Sequence, residues 1–462
     1  MQPAPGSWRD PSSRVFADQD RIIRALDADA AADYDELEAA PFFRDALTAG
    51  HVVGTSKLEE MPERLKSDGW VAALEHERVP VVTYPFEWTF SMLRDAALLQ
   101  LDLTEQAIDA GFITKDATPY NVQFVGSRAT FIDIGSFERI SPGEPWFGYR
   151  QFCEQFLNPL LLQSRGIPMQ PWLRGEPRGV TPAACRAALP WRTRARPSVF
   201  VHVGLHAWAE RRYGGSSRDL RGEMRAAGFN PAIVRAQIRR LRRVVRRLKW
   251  QPKESTWSEY ADRGHYTERD LDAKDDFVRR VAAQRHRSKV LDIGANDGRF
   301  TETALASADY AVALDADPLV VDHLYRRLRE RGDERIVPVT MDIASMSMPL
   351  GWRAKERPAF TTRVRPDLVL MLAVVHHLSI TDMVPLDEVV ALLADLDAEV
   401  VVEMPLPDDP MVKRLVRAKK AGVVDRYSVD VFESAARLSF EIVERETLPS
   451  GTRNLYHLRP RR

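Results

Sequence analysis

The run Lys289-Val-Leu-Asp-Ile-Gly-Ala-Asn-Asp-Gly-Arg-Phe300 constrains this chain more than any other stretch. Apolar, strand-forming residues feed directly into a turn that holds Gly294 and Gly298, and a helical stretch begins near Thr301. Strand, tight turn and helix in that order open a doubly wound parallel sheet, and short apolar segments keep alternating with helical ones from Lys289 onward. Glycines at these places let backbone amides approach a ligand at the carboxyl edge of the sheet, where such folds bind cofactors. Asn296 stands between them and is among the few other residues that tolerate positive φ. The next strand, Tyr310 to Leu314, ends in Asp315-Ala-Asp-Pro318, which places a carboxylate where it can accept both hydrogens of a ribose diol. That acid would serve a dinucleotide equally well. The first turn separates the two cases: it lacks the G-x-G-x-x-G spacing and carries Asp292 ahead of Gly294.

These residues resemble the first motif of class I S-adenosylmethionine-dependent methyltransferases, with Asn296 in place of the common middle glycine of Asp292, Gly294, Asn296 and Gly298. The resemblance implies S-adenosyl-L-methionine as cofactor and a Rossmann-like sheet. It also implies that Asp315 holds the ribose, that Asp342 lies by the adenine, and that Ala373 to His376 close the site after the fourth strand. Near the end of the sequence, Phe440 to Glu446 and Leu455 to Arg459 flank Pro449-Ser-Gly-Thr452 and read as the antiparallel hairpin this fold adds to its parallel sheet.

Methyl transfer needs a nucleophile aligned with the methyl group and, for a hydroxyl, a base. The region from 254 to 462 has no cysteine, which excludes thiolate attack on a pyrimidine, and no Asn/Asp-Pro-Pro-Tyr/Phe run, which disfavours methylation of exocyclic amines of bases. In its place stands Asp367-Leu-Val-Leu-Met-Leu-Ala-Val-Val-His-His-Leu378. A histidine at a strand's carboxyl end titrates in the range of a general base, so His376 or His377 is expected to accept the proton of a hydroxyl; the competing reading packs one under the adenosyl group and bonds the other to a carbonyl. Glu403, at the end of the fifth strand, is expected at the cleft edge, orienting an acceptor or a histidine. Adjacent histidines on a strand point to opposite faces, so no metal is assigned. Trp257, Tyr260 and Tyr266 ahead of this region, and Arg357 in the connection before strand four, are candidates for the substrate side.

The amino-terminal half reads differently. Trp70 to Trp88 suggests two strands joined near His76 to Pro80, followed by a helix through Ala96 to Ala110. Lys115-Asp-Ala-Thr-Pro-Tyr-Asn121, a strand over Val122 to Val125 and a second over Thr130 to Gly135 come next. This order resembles the catalytic core of protein-kinase-like phosphotransferases, which implies that Asp116 would position a hydroxyl while Asn121 and Asp133 would hold magnesium with ATP. No glycine-rich loop precedes the early strands around Arg14 to Arg24, and Lys57 is only a remote candidate for a phosphate lysine. The departures favour an inactive or repurposed scaffold.

Between these halves, Arg218 to Lys249 holds eleven Lys/Arg against two Asp/Glu. Val234, Ile238, Leu241, Val245 and Leu248 fall on one face of a helix starting near Asn230-Pro231. Such a helix could lie on RNA phosphates with a steep salt dependence, but one helix without aromatic interleaving favours a solvated basic face on a helix bridging two domains. The whole chain has 66 Lys+Arg against 66 Asp+Glu, which removes any whole-molecule argument for a polyanion binder. Two cysteines suit a reducing cytosol, and the longest apolar run, Leu368 to Val375, is strand-length, so a cytoplasmic protein without a membrane span is expected. Three parts follow: a kinase-like α+β domain over 1–176, a Pro/Arg-rich connector over 177–253, irregular near Pro177 to Pro197, and a methyltransferase domain over 254–462. Over nearly its whole length the chain resembles a bacterial two-part family of nodulation-protein-like methyltransferases, on Lys115 to Phe124, Phe131 to Glu138, Gly148 to Phe152, Trp257 to Tyr260 and Leu291 to Gly298. The resemblance implies a small-molecule or glycan hydroxyl as methyl acceptor.

Overall fold

A computed structural model describes residues 1–141, 145–194, 203, 231–251, 267–417, 419 and 426–461. The chain divides into two compact units: Met1–Lys253 with Leu350–Arg357, and Glu254–Pro349 with Pro358–Arg462.

In the second unit seven strands form one sheet: β10 (Arg287–Ile293), β11 (Ala308–Asp315), β12 (Ile336–Thr340), β13 (Leu368–Met371), β14 (Glu399–Pro405), β15 (Phe440–Thr447) and β16 (Arg453–Pro460). Their order is β12-β11-β10-β13-β14-β16-β15. β10 to β14 pair in parallel, while β16 runs antiparallel to both β14 and β15. The doubly wound sheet with a terminal antiparallel hairpin is therefore present as expected from the sequence. Strand order reverses between β10 and β13, and the carboxyl ends of two such neighbours are where an open parallel sheet binds its ligand.

Helices α5 (Glu268–Ala282), α6 (Arg299–Leu305) and α7 (Pro318–Arg331) cover the sheet, and their Phe277, Val278, Val281, Leu305, Leu324 and Leu328 share one apolar cluster with Val290, Leu368, Leu370, Val401 and Leu455. Each helix starts for a local reason. Thr267 caps α5 by accepting from the Asp270 amide while Asp270 returns a bond to Thr267, and Asp317 caps α7 ahead of Pro318. Further on lie α8 (Leu386–Asp395), α9 (Pro410–Arg417) and α10 (Val429–Ser439), of which α8 packs on α10.

The first unit carries a five-stranded antiparallel sheet of order β1-β2-β3-β5-β4, from β1 (Gln2–Pro3), β2 (Ser13–Asp18), β3 (Arg21–Leu26), β4 (Thr55–Lys57) and β5 (Ala72–His76). Helices α1 (Ala28–Ala39) and α2 (Pro41–Thr48) separate β3 from β4. A long buried helix, α3 (Phe90–Asp109), follows, and then two short antiparallel pairs: β6 (Phe112–Thr114) with β9 (Phe137–Arg139), and β7 (Val122–Val125) with β8 (Arg128–Phe131). The strand expected over 122–125 is β7. The second strand of the Trp70 to Trp88 pair does not form; beyond β5 the chain carries only a 3-10 turn at Pro85–Glu87, because Pro80 and Pro85 remove ladder donors. The strand read to Gly135 stops at Phe131, and Ile134–Ser136 is a 3-10 turn.

The stretch around Pro177 to Pro197 is not wholly irregular: Thr181 caps a helix over Pro182–Ala188. The basic helix α4 (Pro231–Arg247) starts where its pattern predicts. Its Val234, Ile238, Leu241 and Val245 are buried, it packs on α3, and Arg239 and Arg242 reach Glu105 and Asp102 there at 2.5 and 2.6 Å, with Arg235 on Asp109. No described helix is long and apolar enough to cross a membrane.

Candidate functional site

The turn after β10 has the backbone its residues predict. Gly294, Asn296 and Gly298 have φ of 79°, 50° and 82°. A side chain at Gly294 is doubly barred, since a Cβ there would lie 2.4 Å from Val374 Cγ2. Asp292, at the end of β10, is buried and accepts a 2.6 Å hydrogen bond from the Thr301 hydroxyl of α6. Burial pushes its carboxyl up to about 7, with the Thr301 bond opposing and the nearby Asp315 charge adding to the rise.

Asp315 closes β11, half-buried, with its two oxygens accepting from the backbone amides of Asn296 and Asp317 at 2.9 Å each. Burial raises its pKa, and those amides oppose the rise. The acid is thus fastened to the glycine turn itself, which fixes carboxylate and backbone as one surface. Asp342 is exposed and accepts from the Ala344 amide, capping the short turn Ile343–Ser345 after β12. The structure gathers Asp292, Gly294, Asn296, Gly298 and Asp315 at the carboxyl ends of the adjacent strands β10 and β11.

The histidines are placed differently from the expectation. β13 ends at Met371, and Ala373, at φ 58°, turns the chain into a helical segment whose π-type turn spans His377–Thr381. The pair therefore does not point to opposite faces of a strand; the ring centroids lie 4.2 Å apart at 41°. His376 is buried and His377 half-buried.

Glu403 does not stand free at a cleft edge. It is fully buried, 2.6 Å from Lys274 Nζ of α5 and 2.9 Å from Arg453 Nη1 of β16, and Arg453 also holds Asp409 through bonds of 2.7 and 3.1 Å. Burial favours the neutral acid, but Lys274 and then Arg453 outweigh it and bring Glu403 down to about 2. A carboxylate held by two cations orients the hairpin and α5, not a histidine. Sequence reasoning missed Lys274 and Arg453. The signal for Lys274 is its place on the apolar stripe Leu271, Lys274, Val278, Val281 of α5, where a lysine must find a partner.

Trp257, Tyr260 and Tyr266 lie outside the described residues. Arg357 belongs with the first unit rather than with the cofactor turn: its guanidinium stacks 4.0 Å from the Tyr120 ring centroid, and the neighbouring Glu356 is held by Arg9 at 2.6 Å.

In the first unit, Asp116 and Asp133 lie close enough to interact: burial and then Asp133 raise the Asp116 pKa. Asn121 forms the corner before β7, and its Nδ2 is buried without a hydrogen-bond partner. Asp133 is occupied by Arg24 of β3, whose Nη2 lies 2.9 Å from Oδ1. Arg24 also bonds Ser13 and the buried His76, so a fixed cation of the chain stands against the carboxylate that magnesium would need. Lys57 pairs with Asp35 instead.

No family model matches the chain. It is 34% identical over 454 residues to the nodulation protein NoeA of Rhizobium meliloti (strain 1021), covering 98% of this chain and 94% of that protein. Among solved structures, the N-methyltransferase NodS of Bradyrhizobium japonicum WM9 in complex with S-adenosyl-L-homocysteine aligns over 45% of this chain and 100% of its own, at 14% identity and a TM-score of 0.33. Magnesium protoporphyrin IX methyltransferase of Synechocystis PCC 6803 aligns over 46% and 90%, at 14% identity and a TM-score of 0.29.

Proposed function

Because the chain belongs to the family of the nodulation protein NoeA, we propose that its second unit is an S-adenosyl-L-methionine-dependent methyltransferase acting on a hydroxyl of a small molecule or glycan. What carries this reading is the turn after β10 together with Asp315, pinned by the amides of Asn296 and Asp317 at the point where strand order reverses. The residues fit the nucleoside of that cofactor: a carboxylate at the end of the second strand suits a ribose diol, and a turn at positive φ lets the backbone itself line the carboxyl edge of the sheet. Asp342 would lie by the adenine, and Ala373 to His376 would close the site after β13. When bound, the cofactor supplies an electrophilic methyl group.

The chain's own residues supply the rest. Asp292 holds the turn to α6 through Thr301. His377, the more exposed of the two, accepts the proton of the acceptor hydroxyl at an imidazole nitrogen, and His376 supports its ring from the buried side. General-base help of this kind contributes about 10²–10⁴-fold in rate. The first unit, with α3, the Asp116 to Asn121 corner, the β7–β8 hairpin and Asp133 in kinase-like order, serves as a scaffold that presents the acceptor. The Arg24–Asp133 ion pair favours this role over binding of ATP with magnesium. The docking of α4 on α3 through three of its arginines favours a structural helix over an RNA-binding one.

Calorimetric titration of S-adenosyl-L-homocysteine into the wild type and Asp315→Ala tests the reading. Micromolar binding that the variant loses is expected, and a wild type that takes no ligand sinks the proposal.

A further inference from the structure

We infer that Val374 is a positioning residue that ties the cofactor turn to the histidine pair, an inference that rests on the methyltransferase reading of the second unit. β10 and β13 are parallel neighbours with Ile293 opposite Met371, so the turns that follow them lie side by side. Into the first of these turns Val374 sends its γ2 methyl, to the place where a Cβ on Gly294 would come within 2.4 Å. Ordinary carbon contacts lie at about 3.5–4.0 Å, so only the missing side chain of Gly294 leaves room for this methyl.

The other end of the same residue starts the histidine turn. The Val374 carbonyl accepts from the His377 amide at 2.9 Å and from the Leu378 amide at 3.2 Å. One residue therefore presses on the glycine turn with its side chain and carries the two adjoining rings, 4.2 Å apart and tilted by 41°, with its backbone. Ala373 supports the arrangement. Its φ of 58° is a left-handed conformation that alanine rarely adopts, and it is the bend that aims Val374 at Gly294. Such local strain persists where the surroundings over-determine it, here by the buried Met371 and Leu372 before the bend and Val375 after it. Movement of the glycine turn is thereby passed to the histidines through the packing of the Val374 side chain.

The test uses the full chain with two variants and two readouts. Val374→Ala removes the wedge, whereas Val374→Thr keeps a β-branched side chain of the same shape, with its hydroxyl in the place of the γ2 methyl. The readouts are the imidazole resonances of His376 and His377, which each adjoining ring displaces, and the affinity for S-adenosyl-L-homocysteine. In Val374→Ala both resonances move towards those of free imidazole and affinity falls roughly fivefold, the scale set by losing the packing of one or two methyl groups. In Val374→Thr both stay near wild type. Unchanged resonances in Val374→Ala overturn the inference, whether or not affinity falls. A wild type that does not bind the ligand removes the methyltransferase reading instead, and the resonances of Val374→Ala still decide whether the valine positions the histidines.

Discussion

Replacing Glu403 by glutamine keeps the side chain's shape and removes one buried negative charge. Its partners are Lys274 Nζ at 2.6 Å and Arg453 Nη1 at 2.9 Å, and none of the three side chains is more than 3% exposed. Breaking a buried ion pair by removing one member costs about 3–5 kcal/mol, because the other charge stays in a medium that cannot solvate it. Arg453 keeps Asp409 through two bonds, and Asp270 still favours the Lys274 ammonium, so part of the charge balance survives. The lower figure applies, about 3 kcal/mol. For a unit of this size each kcal/mol moves the melting temperature by about 2–4 °C, so Glu403→Gln should melt about 6–12 °C lower. Urea and thermal unfolding at pH 7, read on the transition that S-adenosyl-L-homocysteine shifts, measure it. Lys274→Met combined with Glu403→Leu should recover most of the loss, since an apolar pair of similar volume substitutes well for a buried ion pair. A Glu403→Gln variant that loses less than about 1 kcal/mol, or a double variant less stable than the single one, would refute the reasoning.

Other outcomes follow from the same geometry. Asp292 has a folded pKa raised to about 7, so its contribution to stability is complete below the unfolded value near 4 and is lost as pH rises through 7; Asp292→Asn should flatten that part of a stability-against-pH curve. Glu403 behaves oppositely: its folded pKa is depressed to about 2, its contribution is present above the unfolded value near 4.3, and acid unfolding followed by circular dichroism should show the loss as pH falls towards 2, but not in Glu403→Gln. Gly294→Ala combines a left-handed φ with a 2.4 Å approach to Val374 and should cost about 2–4 kcal/mol and abolish S-adenosyl-L-homocysteine binding by calorimetry. ATP with magnesium should leave the melting temperature of the wild type unchanged, because Arg24 already neutralises Asp133; a stabilisation that Asp133→Asn removes would overturn that account.

Much of the second unit can be read from residues because its signals are local. Apolar runs bounded by turn residues mark β10, β11, β14 and the hairpin, and Gly294, Asn296 and Gly298 announce backbone that other residues avoid. The end of β13 carries no such mark. Leu368 to Val375 is continuously apolar, and the break falls at an alanine whose left-handed φ only its surroundings explain, so the strand reads too long and the histidines seem to alternate. Glu403 fails for a related reason: period-two patterning tells which face a strand residue takes, not that Lys274 and Arg453 arrive from distant parts of the chain to enclose it. Arg24 was hidden in the same way, one arginine of a hairpin whose only distinction is the acid it meets.

The position of β16 sets the order in which the molecule can be made. It follows every other strand of its sheet along the chain, yet it lies between β14 and β15, so until it emerges both of those strands expose unpaired edges to other chains in the cell. At ribosomal speeds of about 5–20 residues per second, the second unit spends about 10–40 s under construction before its sheet can close, by which time the antiparallel sheet of the first unit has long had all its strands. Slow-growing unpaired edges of this kind are where chaperones bind and aggregates begin, so the yield of folded protein should depend more on the rate of translation through the second unit than on any property of the finished site.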